Sequence, residues 1–372
     1  MPITLAPDLV FLPFSETWQM RIDIPYSLMV RDGDQMWSCG QCPLTREGAV
    51  MAPGDLQAQA GILADFIDGF ACDMGMTGSD VSRLTVYYIE EDAKDGASLI
   101  TLFRAKFGAD TLIRLIKVPH FYYDGMRLEV DVYATTQSRR FVRHESADLP
   151  GLAVEALQLP GGVWANVQIP QSAQTAGTAR LSLALSALCE AAGVVQSEIL
   201  SELWTLGTPK MAPALQAVRD LGLAAPRLSV VNASTPDPVL SGEITTCTGG
   251  GRRIVRVIDT GHATVELTFS RMGAEFGLTA AVTSGPADNL GQMRETMRAT
   301  AILLRAEGLS FDLVRKVTNL YVAGSSAEEL HDNMAIRNEY YSKPGPGSTG
   351  IPVSGFPDPF ARNAMSLIGR VR

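Results

Sequence analysis

The chain has 372 residues, 46% of them hydrophobic and 19% charged, which is enough to build a sizeable core. Its net charge of -9 argues against nucleic acid as a partner, because phosphate neutralisation needs clustered Lys and Arg, and pairs such as Arg139-Arg140 and Arg252-Arg253 stay isolated. No apolar run approaches the ~20 residues of a membrane span, and the proline-broken start does not read as a signal peptide. The expectation is a cytoplasmic protein.

In chain order, the first element with possible chemistry is Cys39-Gly-Gln-Cys42. A redox CxxC is expected at a helix N-terminus, where the dipole stabilises a thiolate. This one follows Met36-Trp37-Ser38 and precedes Pro43, which predicts a strand running into a turn and ordinary thiols. An amphipathic helix is predicted over Leu56 to Met74, with Ile62, Phe66 and Phe70 on one face and Gly75 at its C-cap. A strand over Leu84 to Ile89, a helix over Ala97 to Phe107 and an apolar strand over Leu112 to Val118 follow. From Met126 to Ala134 apolar and charged residues alternate, with Leu128, Val130 and Val132 opposed to Arg127, Glu129 and Asp131.

This grammar recurs. Gln59 and Gln292 each precede a helix-ending glycine, Gly75 or Gly308, by 16 positions, and a tyrosine, Tyr88 or Tyr321, stands 13 further on. A fainter copy has a helical stretch from Leu181, then Gly193, and an apolar run that ends 13 later at Leu206. The three glycines lie 118 and 115 residues apart, about one third of the chain. Second helices are predicted at 212–221 and 328–341. Strands with two helices on one face must bury the other face, and three sheets around a shared axis would do so. The predicted fold is therefore α/β (α+β), with three tandem units at 1–148, 149–250 and 251–372 folded as an intramolecular pseudo-trimer.

The first unit resembles the YjgF/RidA (enamine/imine deaminase) family. Pro25-Tyr26-Ser27 is similar to its "PYS", Trp37 to Leu44 to its "SGQxPL" turn, and Leu128-Glu129-Val130-Asp131 to its closing strand. The family's arginine, 15 residues before that glutamate, matches Arg114. Members are usually homotrimers of a chorismate-mutase-like fold with sites between subunits. The resemblance thus implies that one chain supplies all three subunits, as a monomer or weak dimer. It implies that Arg114 holds a substrate carboxylate and that Glu129 activates water. It sets Tyr26 and Cys39 beside the substrate, Cys39 replacing a family serine by a weaker donor. A family asparagine falls near Ile100 and is lost. Read from the residues alone, Arg114 equally suits a salt bridge to Glu129 or Asp131.

His120, near Arg114 in sequence, is a further candidate for the cleft. Arg227 and Glu243, 16 apart, form a possible second, partial site in the middle unit. In the last unit the arginine position falls around Thr349, and 364–369 carries no acid. The turn-rich 344–350 segment reads as a surface loop, with anion binding through backbone N–H groups as its alternative. The four histidines have no metal-ligand spacing, Gly249-Gly-Gly251 lacks a phosphate loop's lysine, and no G-x-S-x-G elbow is present. No metal and no cofactor are expected. The function implied is hydrolysis of a small carboxylate-bearing enamine or imine to ammonia and a 2-keto acid. The alternatives are a chorismatase-like hydrolase, since chorismatases resemble fused copies of this fold, and an inactive protein that binds small carboxylates.

Overall fold

The structure, a computed structural model, describes all residues except 15–16, 20–21, 175, 208–214, 216–217, 220–228, 232–238, 323, 325 and 372. Its first stretch runs β1 (Ile3–Ala6), β2 (Leu9–Pro13), β3 (Ser27–Asp32), β4 (Gln35–Ser38), α1 (Leu56–Asp73), β5 (Val81–Tyr88), α2 (Asp95–Phe107), β6 (Leu112–Lys117) and β7 (Leu128–Thr135). The middle holds β8 (Arg140–Glu145), β9 (Ala153–Leu159), β10 (Gly162–Pro170), α3 (Gln171–Gln174), α4 (Thr178–Ala192), β11 (Ile199–Leu206), β12 (Ser229–Val231) and β13 (Val239–Thr246). The last stretch comprises β14 (Gly251–Asp259), β15 (Thr264–Met272), β16 (Glu275–Ser284), α5 (Asn289–Ala306), β17 (Val314–Tyr321), α6 (Ala327–Asn338), β18 (Gly347–Pro352) and β19 (Asn363–Arg370).

The result is a mixed α+β protein with two sheets among the described residues. One has 13 strands, in the order β14-β15-β16-β19-β17-β18-β3-β4-β7-β5-β6, with β2 on β3 and β1 on β2. The other has six, in the order β12-β11-β13-β10-β9-β8. The strand at Arg140–Glu145, which the sequence places before a boundary at 148, pairs with β9 and so belongs to the smaller sheet. The predicted helix at 212–221 falls largely outside the described residues.

Local pairing is alike at three places. β5 runs parallel to β6 and antiparallel to β7; β11 does the same with β12 and β13, and β17 with β18 and β19. The long helices begin and end by the same devices. Asp55 accepts from Ala58 N–H at 3.0 Å, and Asp288 from Gly291 N–H at 2.7 Å. Both helices then end at a left-handed glycine, Gly75 at φ 70° and Gly308 at φ 71°, a conformation that costs glycine little. Each repeated glutamine ties its helix to the strand region. Gln59 donates to Ala52 O and Gly125 O and accepts from Arg127 N–H, while Gln292 donates to Pro286 O and Phe360 O and accepts from Arg362 N–H.

On α1 the buried stripe is Leu56, Ala60, Leu63, Ala64, Ile67 and Ala71. The predicted face of Ile62, Phe66 and Phe70 is its half-buried shoulder, with Phe66 and Phe70 ring centroids 5.9 Å apart. Leu128, Val130 and Val132 of β7 join this stripe in one core cluster. The opposite faces of the sheets are buried against each other and carry charge. Lys316 meets Asp131 at 2.7 Å, Arg315 meets Asp32 at 2.8 Å, and Arg83 lies 4.1 Å over the Tyr133 ring and reaches Thr245. Lys316 and Arg315 are tolerated there because each is paired with a carboxylate and hydrogen-bonded, and Arg83 is held by Thr245 and the Tyr133 ring.

The larger sheet is continuous because β18 meets β3 in parallel at Gly347 and Ser27, with Ser27 N–H donating to Pro346 O at 3.0 Å. The 344–350 segment is therefore not a plain surface loop; Gly345 to Gly347 are buried in this seam. At its far end β6 pairs with no second strand among the described residues, and β9 and β10 of the smaller sheet approach it with a cavity between. No helix of the described residues is long and apolar enough to cross a membrane.

Candidate functional site

At the β18–β3 seam lies a cavity of about 90 Å³. Tyr26, Gly40, Cys42, Tyr122 and Glu129 line it from the first third of the chain, and Leu330, Met334, Arg337 and Ser348 from the last. The alternation of β7 turns Glu129 away from the helix-side core, in register with Tyr87. The adjoining turn is held by reciprocal Gln41–Val130 backbone bonds of 2.8 and 3.0 Å. Gly40 is required here: a Cβ on it would stand 1.7 Å from Glu129 Oε1.

Glu129 is only 8% exposed. Burial first, then the neighbouring Asp131, pushes its carboxyl up to about 8, against the pull of Lys316 and a hydrogen bond from Cys42. It therefore holds its proton at neutral pH.

Arg337, near the end of α6, is 1% exposed. Its Nε donates to Asn333 Oδ1 at 2.9 Å and its Nη1 to Ser348 Oγ at 3.0 Å. Among the described residues no carboxylate is paired with it. Its Cζ lies 5.7 Å over the Tyr26 ring. The Tyr26 hydroxyl is buried without a hydrogen bond of good geometry, and burial raises its pKa despite the nearby Arg337. An unpaired buried guanidinium, a phenol and a protonated carboxyl thus share a small, mainly apolar chamber. Such a set can bind an anion and exchange a proton with it.

Of the residues expected from sequence, Tyr26 and Glu129 come together here and the others do not. Cys39 is buried behind Gly40, its Sγ donating to Gly40 O at 3.4 Å and accepting from Gln41 Nε2 at 3.4 Å, and Cys42 takes the place on the wall. Burial raises both thiols well above the usual range, so neither is a ready nucleophile. His120 stacks edge-on against Tyr122 at 5.6 Å with Nε2 3.2 Å from Gly324 O, behind the wall rather than on it.

Arg114 lies in a different cavity. β5 separates β6 from β7, so Arg114 faces the smaller sheet while Glu129 faces the β18 seam. Its partner is neither Glu129 nor Asp131. Its Nη1 lies 3.4 Å from Glu243, and its Nη2 donates to Thr205 Oγ1 at 2.9 Å and to Ser241 O at 3.2 Å. Burial would raise Glu243, but Arg83 and Arg114 together with Thr85 hold it below the usual carboxylate range. Glu243 is therefore a structural partner of Arg114, and Arg227, its expected companion, lies outside the described residues. The cation that the sequence did not reveal is Arg337, whose only signal was an asparagine, Asn333, one helical turn before it.

No family model matches the sequence, and no curated protein matches it. Solved structures do, each over about a third of this chain. A Rid-family protein from Yersinia pestis has 21% identity, covering 30% of this chain and 86% of its own, at a TM-score of 0.25. A protein described as a putative endoribonuclease from Thermotoga maritima has 18% identity, with 34% and 98% covered, at 0.30. RidA from an Antarctic Psychrobacter has 19% identity, with 34% and 98% covered, at 0.29. The structures this chain is similar to are thus YjgF/RidA family proteins.

Proposed function

We propose that the chain is three related units wrapped as a pseudo-trimer, and that the cleft between the first and the last binds a small carboxylate-bearing enamine or imine and hydrolyses it. The three-unit reading is supported by the recurring strand pairing and by the matched glutamine clamps. The chemical reading rests above all on Arg337, a buried cation without a carboxylate partner among the described residues, in the wall of a cavity that also holds protonated Glu129.

In this reading Arg337 and Tyr26 bind the substrate carboxylate. Glu129 donates its proton to the enamine carbon, giving the iminium. The resulting carboxylate then takes a proton from water as the oxygen adds to the imine carbon. Glu129 passes that proton to the carbinolamine nitrogen and takes one back from its hydroxyl as the carbon–nitrogen bond breaks, so that ammonia and a 2-keto acid leave. No electron changes hands, and the residues alone balance the protons. A cavity of about 90 Å³ is small beside the ~300–1,000 Å³ of clefts for larger ligands, which favours three- or four-carbon acids over chorismate.

The test is ammonia and keto-acid release from freshly generated 2-aminoacrylate. Catalysed release that is lost in Glu129→Gln and Tyr26→Phe supports the assignment; wild-type release at the spontaneous rate overturns it. Binding without turnover is favoured by one observation, that Cys39 is withdrawn from the wall. Tight 2-keto acid binding by a protein that releases no ammonia would establish that second reading.

A further inference from the structure

A cavity of about 360 Å³ opens along the outer edge of β6, between it and the smaller sheet. The inner edge of β6 is paired with β5, and Val118 N–H donates to Tyr88 O at 2.9 Å just beyond the strand. In a parallel ladder alternate residues turn their N–H and C=O groups to opposite edges. With Arg114, Ile116 and Val118 directed at β5, Ile113 and Leu115 direct theirs outward. No other main chain among the described residues pairs with these two. The corresponding strand beside β17 is different, because β18 closes its outer edge onto β3. Both Ile113 and Leu115 line the cavity, so it borders an open strand edge.

The opposite wall is also unsatisfied. Asn166 of β10 lines the cavity with Nδ2 and Oδ1 both buried and without a hydrogen-bond partner. A side-chain amide with donor and acceptor both free is complementary to a peptide group. Arg114, 4% exposed, has Nε unpartnered on the same side. At the rim Arg104 and Arg143 converge on one carboxylate, Glu155, at 3.1 and 2.7 Å. The exposed Glu145, 3.6 Å from Arg143, is screened by solvent, so two guanidiniums share one effective counter-charge.

We propose that this edge is a strand-addition site for a short, extended peptide bearing a carboxylate. Its main chain pairs with Ile113 and Leu115, one of its peptide groups meets the Asn166 amide, and its carboxylate lies against Arg104 and Arg143. Main-chain bonds to a free edge supply the affinity in this mode, and flanking side chains the selectivity. At ~3.3 Å per residue the edge from Ile113 to Leu115 suits about three peptide residues, and the cavity falls within the ~300–1,000 Å³ of ligand clefts. The site is independent of the chemistry in the other cleft.

The probe is N-acetyl-Val-Glu-Val with a free C-terminus, followed by calorimetry and by amide hydrogen exchange at Ile113 and Leu115. Binding should slow exchange at both amides at least tenfold, and Asn166→Leu should weaken binding at least tenfold while ammonia release from 2-aminoacrylate stays unchanged. Should that variant misfold, the wild type with a peptide N-methylated at its central amide gives the same comparison. Replacing the peptide's Glu by Lys should also weaken it about tenfold. No binding at millimolar peptide overturns the proposal, as do unchanged exchange at the two amides and indifference to N-methylation or to the Lys replacement.

Discussion

The proton on Glu129 makes a thermodynamic statement that can be checked without knowing any substrate. Its carboxyl is raised from 4.5 to about 8 by burial and by Asp131. Between those values the folded protein keeps a proton that the unfolded chain releases, so stability falls as pH rises through this window. Full stabilisation is present below about pH 4.5, and the loss is complete above about pH 8. At about 1.4 kcal/mol per pH unit the loss reaches roughly 5 kcal/mol at most. Glu129→Gln keeps the shape and carries no charge at any pH. Guanidinium unfolding of both proteins from pH 5 to pH 8 should give similar stabilities at pH 5 and a variant more stable by about 3 to 5 kcal/mol at pH 8. Glu275, also raised by burial, titrates in both proteins and cancels in the difference. Parallel pH curves would refute the account of the carboxyl, and with it the acid role assigned to Glu129.

Other consequences follow from the same contacts. In Gly40→Ala the new Cβ, 1.7 Å from Glu129 Oε1, must push that carboxyl aside by more than an ångström, so ammonia release should fall about 100-fold while the melting temperature moves little. The pH–rate profile of the wild type should be level below about pH 7 and decline through about pH 8, as the donor ionises. Gln59→Ala and Gln292→Ala each remove two bonds to part-buried carbonyls and leave one backbone N–H without its side-chain acceptor, and should each cost about 2 kcal/mol in urea melts. Arg114→Ala strands Glu243 in the interior and should destabilise by about 3 to 5 kcal/mol, while the folded fraction keeps its full turnover.

The helices and the strands after them were legible because their signals are local. A capping aspartate, a glycine at the end, and a run of alternating residues each act within a few positions, and the Gln59 and Gln292 spacings record a clamp that the structure contains twice. The site was legible only on one wall. Tyr26 and Glu129 come together because both belong to strand and turn motifs of one third of the chain. Arg337 was not, because a helix residue more than two hundred positions away announces nothing about which seam it will enter.

Arg114 stands apart from the seam cavity for a related reason. Spacing along the chain fixed its strand and even its face, since Thr85 stands in register with both Arg114 and Asp131. What it did not fix is which neighbour that part of the face meets. A row nearer β6 looks at the smaller sheet and finds Glu243, while a row nearer β4 looks at the β18 seam and finds Arg337. In an assembly of identical subunits both outlooks would be the same cleft seen from its two sides, and a motif would identify it completely. Here the neighbours differ, so the arginine and the glutamate of one motif serve different ends. The guanidinium is neutralised within the fold, and the acid shares its cavity with a cation from elsewhere in the sequence.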